Sequence, residues 1–265
     1  MILSWNLGHY LIDTWEGGVG LHENSVILSG IQVSYALSTT RWFTWSVVPE
    51  RGRNLRLLAD IYRRETGSDY NFYRLGLSYT EHLPGFLPNN VVSLSLSGGS
   101  YIYRPDRLSG FDLGQYHIGY FGFVQKDSFL PGQKGYPAGV VYGDYLARLK
   151  VAYTMPFIQK DVGYDSFFMA FRNFWGRLFA VYGGVWSGEP EINDFHPTLG
   201  VELALDLTIG FSTDYTFSIG YAVGLTGPGE HQVYFSLAGL LEGVTGGLTA
   251  PARRPVFPEN ILHKK

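Results

Sequence analysis

Cysteine is absent from the 265-residue chain, which excludes a disulfide framework and a thiolate metal site. Also missing is any run of about 18 apolar residues, the length a membrane-spanning helix needs. Charge is scarce: 16% of residues are Asp, Glu, Lys or Arg, against about a quarter in soluble domains. The formal net charge of −3 comes with no long basic block, so nothing calls for nucleic acid or an anionic-lipid patch. The opening MILSWNLGHYL lacks the basic n-region, compact apolar core and small-residue cleavage site of a secretory signal. Two expectations remain, a protein of the cytosol or a piece of something longer.

Hydrophobic residues make up 45% of the chain, and alternation disperses them. In LGVELALDLTIGF, Leu199, Val201, Leu203, Leu205, Leu207, Ile209 and Phe211 share one parity, while Gly200, Glu202, Ala204, Asp206, Thr208 and Gly210 share the other. A period of two marks a strand with one apolar face. TFSIGYAVGL from Thr216 repeats the pattern after a short STD, which predicts a tight antiparallel hairpin. YLARLKVAYTM sets Leu149 and Val151 against Arg148 and Lys150, and VVSLSLSGG opposes Val92, Leu94 and Leu96 to serines. Similar stretches at Ile2, Val26, Trp42, Asn54, Tyr73, Arg177 and His231 bring the total to about eleven strands. They run roughly nine to twelve residues, about what a tilted strand needs to cross a bilayer.

A soluble sandwich would turn Lys and Glu outward. Here the second face is mostly Gly, Ser, Ala and Thr, and the apolar face is rich in aromatics. That composition predicts an all-β, antiparallel transmembrane β-barrel with apolar residues toward lipid and small polar ones toward the lumen. Connectors alternate, with short PERGRN and STD on one side and long Ser100–Val141 and SGEPEINDFHP on the other, as in an outer-membrane barrel. The barrel portion is expected over 1–241 and an irregular tail over 242–265. In IQKDVGYDSFFMAFRNFWG, Phe167, Phe171 and Phe174 fall at helical spacing. This predicts a short amphipathic helix, lying at the interface or plugging the barrel mouth.

No G-x-S-x-G occurs, and His117, His196 and His231 have no paired spacing, so no catalytic residue and no enzyme is expected. Glu189, Glu191 and Asp194 offer oxygens to calcium, with a solvated external loop as the plainer reading. Neither metal nor cofactor is expected. Trp42, Trp45, Tyr101, Tyr103 and Trp186 read as interface girdles.

LPGQKGYPAG, Leu130 to Gly139, is not a phosphate loop, because Lys134 is followed by Gly135 and Tyr136 rather than Ser or Thr. Its place in the longest connector, ahead of the last five strands, resembles the carboxy-terminal barrel of the bacterial surface antigen superfamily, the outer-membrane assembly factors and two-partner-secretion barrels. In that family a long loop bearing Arg-Gly-Phe or Arg-Gly-Tyr folds into the lumen. The matching residues are Lys134, Gly135 and Tyr136. Met155-Pro156 matches the apolar-Pro pair of the next strand, and VYGGVW, Val181 to Trp186, resembles the stretch ending the one after. VVPERGRNLRLLADIY is similar to a turn in members that carry an upstream tricorn-type propeller. The family barrel has about sixteen strands, so the resemblance implies that the first several, and any periplasmic domain, lie outside this chain.

The resemblance implies a protein of the bacterial outer membrane that contacts its lipid and assists insertion or translocation of client outer-membrane proteins. The alternative is a passive anchor for a fused amino-terminal domain. Lys134 keeps the charge of the family's arginine without its planar fork, and the acids that arginine meets align with Ala152 and Val181. A tucked Lys134 therefore needs another acid. Glu202 and Asp206 lie on the lumenal parity, two strands beyond Arg148 and Lys150. The alternative is a loop that stays outside with Lys134 solvated.

Overall fold

The computed structural model describes residues 2–13, 25–43, 46–103, 111–114, 132–137, 140–163, 169–209 and 213–238. The expected tail, Trp45, His117 and Phe167 lie outside them. The described chain is all-β. Its strands are β1 (Ile2–Asp13), β2 (Ser25–Ser38), β3 (Gly52–Tyr62), β4 (Phe72–Pro84), β5 (Val91–Ile102), β6 (Phe111–Asp112), β7 (Tyr142–Gly143), β8 (Tyr145–Gly163), β9 (Met169–Trp186), β10 (Phe195–Ile209), β11 (Thr213–Gly224) and β12 (His231–Ala238). β6 and β7 pair only with each other, and the other strands form one 10-stranded antiparallel sheet in chain order. Among the described residues β1 and β12 do not pair, so the sheet is open.

Register makes the two faces chemically distinct. One row runs Tyr153, Leu178, Val201, Tyr221, Val233 across β8 to β12. Another runs Leu96, Leu149, Tyr182 across β5, β8 and β9. Tyr153 is half-buried, its hydroxyl accepting from Asn90 Nδ2 at 2.7 Å; the other side chains of the two rows are exposed, from 39% at Val201 to 71% at Val233, on the convex face. The opposite parity is concave and holds the buried residues. Ala152, Phe179, Val181, Ala222 and Tyr234 form one cluster, and Phe111, Leu113, Tyr136, Leu146 and Val185 form another beneath the long connector. Polar side chains are buried beside them, Ser97, Thr154, Asn173, Thr198, Ser218 and Gln232, whereas the exposed parity carries large apolar ones, the reverse of a soluble sheet.

Two expectations fail. Of the strand expected from Trp42, the described residues Trp42, Phe43 and Ser46 to Val48 lie in no strand, so among the described residues ten strands stand in the main sheet rather than about eleven. A bridge between Arg41 and Arg51 closes the β2–β3 connector. Within it Ser46 Oγ accepts from Phe43 N at 2.9 Å and donates to Glu50 Oε1 at 2.6 Å. Local side-chain bonds of this kind compete with a ladder, and Val47 turns in to pack on Trp175 and Ala204.

The expected helix around Phe171 and Phe174 is instead β-structure in β8 and β9. Phe174 lies opposite Leu205 and Phe171 opposite Leu207, with Arg172 bulged out between them. A second irregularity in β8 skips Phe157 between Pro156 and Ile158, leaving Phe157 and Ile158 52% and 54% exposed. A bulge adds one residue to an alternating strand, and an odd spacing then mimics the helical period.

Topology places the β2–β3, β4–β5, β8–β9 and β10–β11 connectors at one end of the sheet and the β3–β4, β5–β8, β9–β10 and β11–β12 connectors at the other. The long segment carrying the Lys-Gly-Tyr triplet thus shares its end with residues 187–194 and 225–230.

Candidate functional site

The segment 132–137 lies against the concave ends of β9 to β12. Gln133 Nε2 donates to His196 O at 2.6 Å and to Thr198 Oγ1 at 2.8 Å, and Thr198 Oγ1 donates to Lys134 O at 3.0 Å. Gly135 N donates to Gln232 Oε1 at 2.9 Å, while Gly135 O accepts from Glu230 N at 2.9 Å. Tyr136 is fully buried. Its hydroxyl donates to Pro197 O at 2.8 Å and lies 3.1 Å from Thr226 Oγ1, and its ring faces His196. Backbone groups buried in a connector need partners, and β10, β12, the turn between β11 and β12, and Leu113 O, which accepts from Gln133 N at 2.7 Å, supply them.

Gly135 has φ +86, and a Cβ there would come within 2.7 Å of Gly224 N. Both the left-handed conformation and the close backbone approach require glycine. The turn aims Lys134 along the concave face. Its Nζ stands 3.8 Å from Glu202 Oε2 and 3.1 Å from the Tyr234 ring centroid. At 3.8 Å the contact is an ion pair rather than a hydrogen bond. Tyr234 in turn donates its hydroxyl to Glu202 Oε2 at 3.0 Å. The tyrosine reaches that far because its ring lies on Gly220, where a Cβ would meet ring atoms at 2.3 Å. Arg177 takes the other carboxylate oxygen, NH1 to Oε1 at 3.6 Å. Two cations and a phenol therefore converge on one carboxylate. Burial lowers the Lys134 pKa to about 8, with Glu202 opposing the shift.

Of the two acids expected near Lys134, only Glu202 meets it. Asp206 is four residues further along β10, about 13 Å at strand rise, and accepts instead from Asn173 Nδ2, Trp175 Nε1 and Thr216 Oγ1. Arg148 donates to Ser97 Oγ at 3.2 Å, and the Lys150 ammonium lies 5.3 Å from the Phe179 ring centroid. Neither stands within ion-pair distance of Glu202 among the described residues. Ala152 and Val181, where the resemblance implied acids, are both buried in an apolar cluster.

Sequence reading missed Arg177, Tyr234 and Gln133. Alternation in β9 put Arg177 on the face of Trp175 and Phe179, a legible signal. Tyr234 and Gln133 had none, since both depend on the loop's final position.

The remaining expected residues fall elsewhere. Tyr101 packs inward between Phe72 and Phe111 and does not join an outer girdle. Tyr145, Tyr182, Trp186 and Phe195 make an aromatic cluster at the loop-side rim. Asp194 accepts from Glu191 N at 2.8 Å, capping a short 3-10 turn. His196 and His231 meet Thr226 and Tyr221 respectively. No protein-family model matches the chain, and no curated protein is similar to it.

Proposed function

We propose that the chain is part of an outer-membrane β-barrel of the assembly and translocation type, in which the convex face meets lipid and the Lys-Gly-Tyr loop occupies the lumen. The observation that carries this reading is the exposed apolar parity, continuous from β2 to β12. Leaving such a face in water is unfavourable by about 25 cal/mol for each Å², and contiguous apolar area of this extent marks a partner or membrane surface. The open edges fit a sheet completed by strands beyond this chain, because hydrocarbon does not tolerate unpaired backbone. The role is to assist insertion or translocation of outer-membrane proteins, without an active site of its own.

One observation favours the second reading, a passive anchor for a neighbouring domain. Gln133, Gly135 and Tyr136 are all buried, so the loop fills one end of the concave face. The test uses the full-length protein reconstituted in vesicles of outer-membrane lipid, with insertion of an unfolded client barrel followed by protease protection. Faster insertion than into empty vesicles supports assembly activity. Equal rates with the protein stably embedded leave the anchor, and failure to embed removes both.

A further inference from the structure

The β2–β3 connector does not close over its own strands. Its neck is fixed by the bridge between Arg41 and Arg51, with Glu50 N donating to Arg41 O at 3.1 Å. Beyond the neck, Val47 is buried against Trp175 of β9 and Ala204 of β10, and Val48 packs beside it. β9 stands four strands from β3 in the sheet, about 19 Å at strand spacing. The connector therefore crosses the concave face to reach its seat, entering from the end opposite the long connector.

Trp175 and Ala204 make that seat. Ala204 is small and 2% exposed, and the Trp175 indole is held from two sides. Its Nε1 donates to Asp206 Oδ1 at 3.3 Å, and the Arg177 guanidinium carbon lies 4.8 Å from a ring centroid, within reach of a cation–π contact. The same guanidinium meets Glu202 Oε1 at 3.6 Å, and Glu202 is the acid that Lys134 of the loop faces at 3.8 Å. Glu202 and Ala204 are two residues apart on one face of β10, about 7 Å. Two segments entering from opposite ends thus come down on adjacent positions, and Arg177 touches a residue of each seat.

We propose that the β2–β3 connector is a strap closing the concave face from its own end, and that its docking is coupled to docking of the Lys-Gly-Tyr loop through Arg177. While Lys134 shares Glu202, Arg177 stays over the indole and keeps the ring under Val47. When the loop leaves, the carboxylate is free to draw the guanidinium off the ring, and the seat of the strap loosens. Each segment in this way favours the docked state of the other, and the two ends of the concave face open together. These contacts stand without a membrane; the barrel reading adds only that the closed space is a lumen.

The test uses the full-length protein in neutral detergent. This chain has no cysteine, so a thiol introduced by Val47→Cys is unique within it, and its reaction with a water-soluble maleimide is read by mass spectrometry on the peptide that carries it. Labelling is expected to be slow, and to rise about fivefold or more when Gly135→Ala releases the loop, the scale of ordinary coupling between sites. Coupling is reciprocal, so Val47→Asp should speed hydrogen exchange at Gly135 N by a similar factor. In an Arg177→Met background both effects should vanish. Leu58→Cys, buried on β3, reports general loosening; should it accelerate with Gly135→Ala, Tyr136→Phe takes the place of that change under the same criteria. Val47→Cys labelled as fast as Ile192→Cys, which is 86% exposed in the β9–β10 connector, overturns the strap. Unchanged labelling on loop release, an effect in one direction only, or effects that persist in Arg177→Met overturn the coupling. Vesicle flotation of the same samples separates the proposal from the barrel reading: flotation without coupling sinks only the coupled strap, whereas coupling without flotation sinks only the membrane assignment.

Discussion

Lys134 and Glu202 form an ion pair across the concave face, 3.8 Å apart, with side-chain exposures of 26% and 12%. The pair ties the longest connector of the chain to the middle of β10. Glu202 also faces Arg177, so removing its charge leaves two cations close together. Glu202→Gln is expected to weaken loop docking by about 1–3 kcal/mol. Trypsin cleavage at Lys134 in membranes bearing the full-length protein should rise roughly tenfold for that change, and stay at the wild-type rate for Asp206→Asn. Equal rates for wild type and Glu202→Gln would remove the ion pair as a tether.

Loop docking should strengthen, not weaken, in mild alkali. The Lys134 pKa is about 8 in the docked loop against 10.5 for an ordinary lysine, chiefly because burial penalises its charge. Between those values the docked state holds fewer protons than the released one, so docking gains as pH rises through the window; below pH 8 it bears the full desolvation cost. The groups facing Lys134 are Glu202, Arg177 and Tyr234. Hydrogen exchange at Gly135 N, corrected for the intrinsic pH dependence of amide exchange, should show protection rising between about pH 7.5 and 9.5, and Lys134→Met should abolish the trend. Protection that falls at high pH would mean that the ion pair outweighs burial.

Gly135→Ala meets two obstacles at once, a φ of +86 and backbone atoms of β11 as near as 2.7 Å. A loss of about 2–4 kcal/mol in loop docking is expected. Tyr136→Ala, which empties a fully buried site, should cost about 3–5 kcal/mol, while Tyr136→Phe loses only the hydroxyl contacts and about 1–2 kcal/mol. Hydrogen exchange at the backbone N–H of residue 135 should be most protected in Tyr136→Phe, less in Gly135→Ala and least in Tyr136→Ala. A Gly135→Ala protein with wild-type exchange would show that the loop adopts another turn.

Leu203 is mid-strand in β10, 41% exposed on the convex face and paired with Ile219. Under the barrel reading Leu203→Arg costs about 2–4 kcal/mol at the bilayer midplane. A nitroxide at Leu203 should be relaxed by oxygen in lipid, and one at Ser95 on the concave face by a water-soluble nickel chelate. The reverse pattern would contradict the assignment of faces.

Alternation alone made β10 and β11 legible. Leu199 to Ile209 and Phe217 to Val223 show which parity is apolar, and the short link dictates an antiparallel pair whose register follows. The same rule misread the stretch around Phe171 and Phe174, because bulges at Phe157 and Arg172 break the period that reading depends on. It also misread the residues after Trp42, where Ser46 and Glu50 offer the backbone a local alternative.

The chemical character of each face was thus determined by the sequence itself, since side-chain direction repeats every two residues along any extended strand. Glu202 could be placed on the concave parity in this way. Its partners could not. Lys134 lies on a connector with no period, and Tyr234 is two strands from Glu202. Their meeting depends on where the loop packs and on the small Gly220 that lets a tyrosine ring lie flat. Contacts between segments distant in the chain come from packing rather than from local periodicity, so only the tertiary structure decided that one carboxylate would serve Lys134, Arg177 and Tyr234 together.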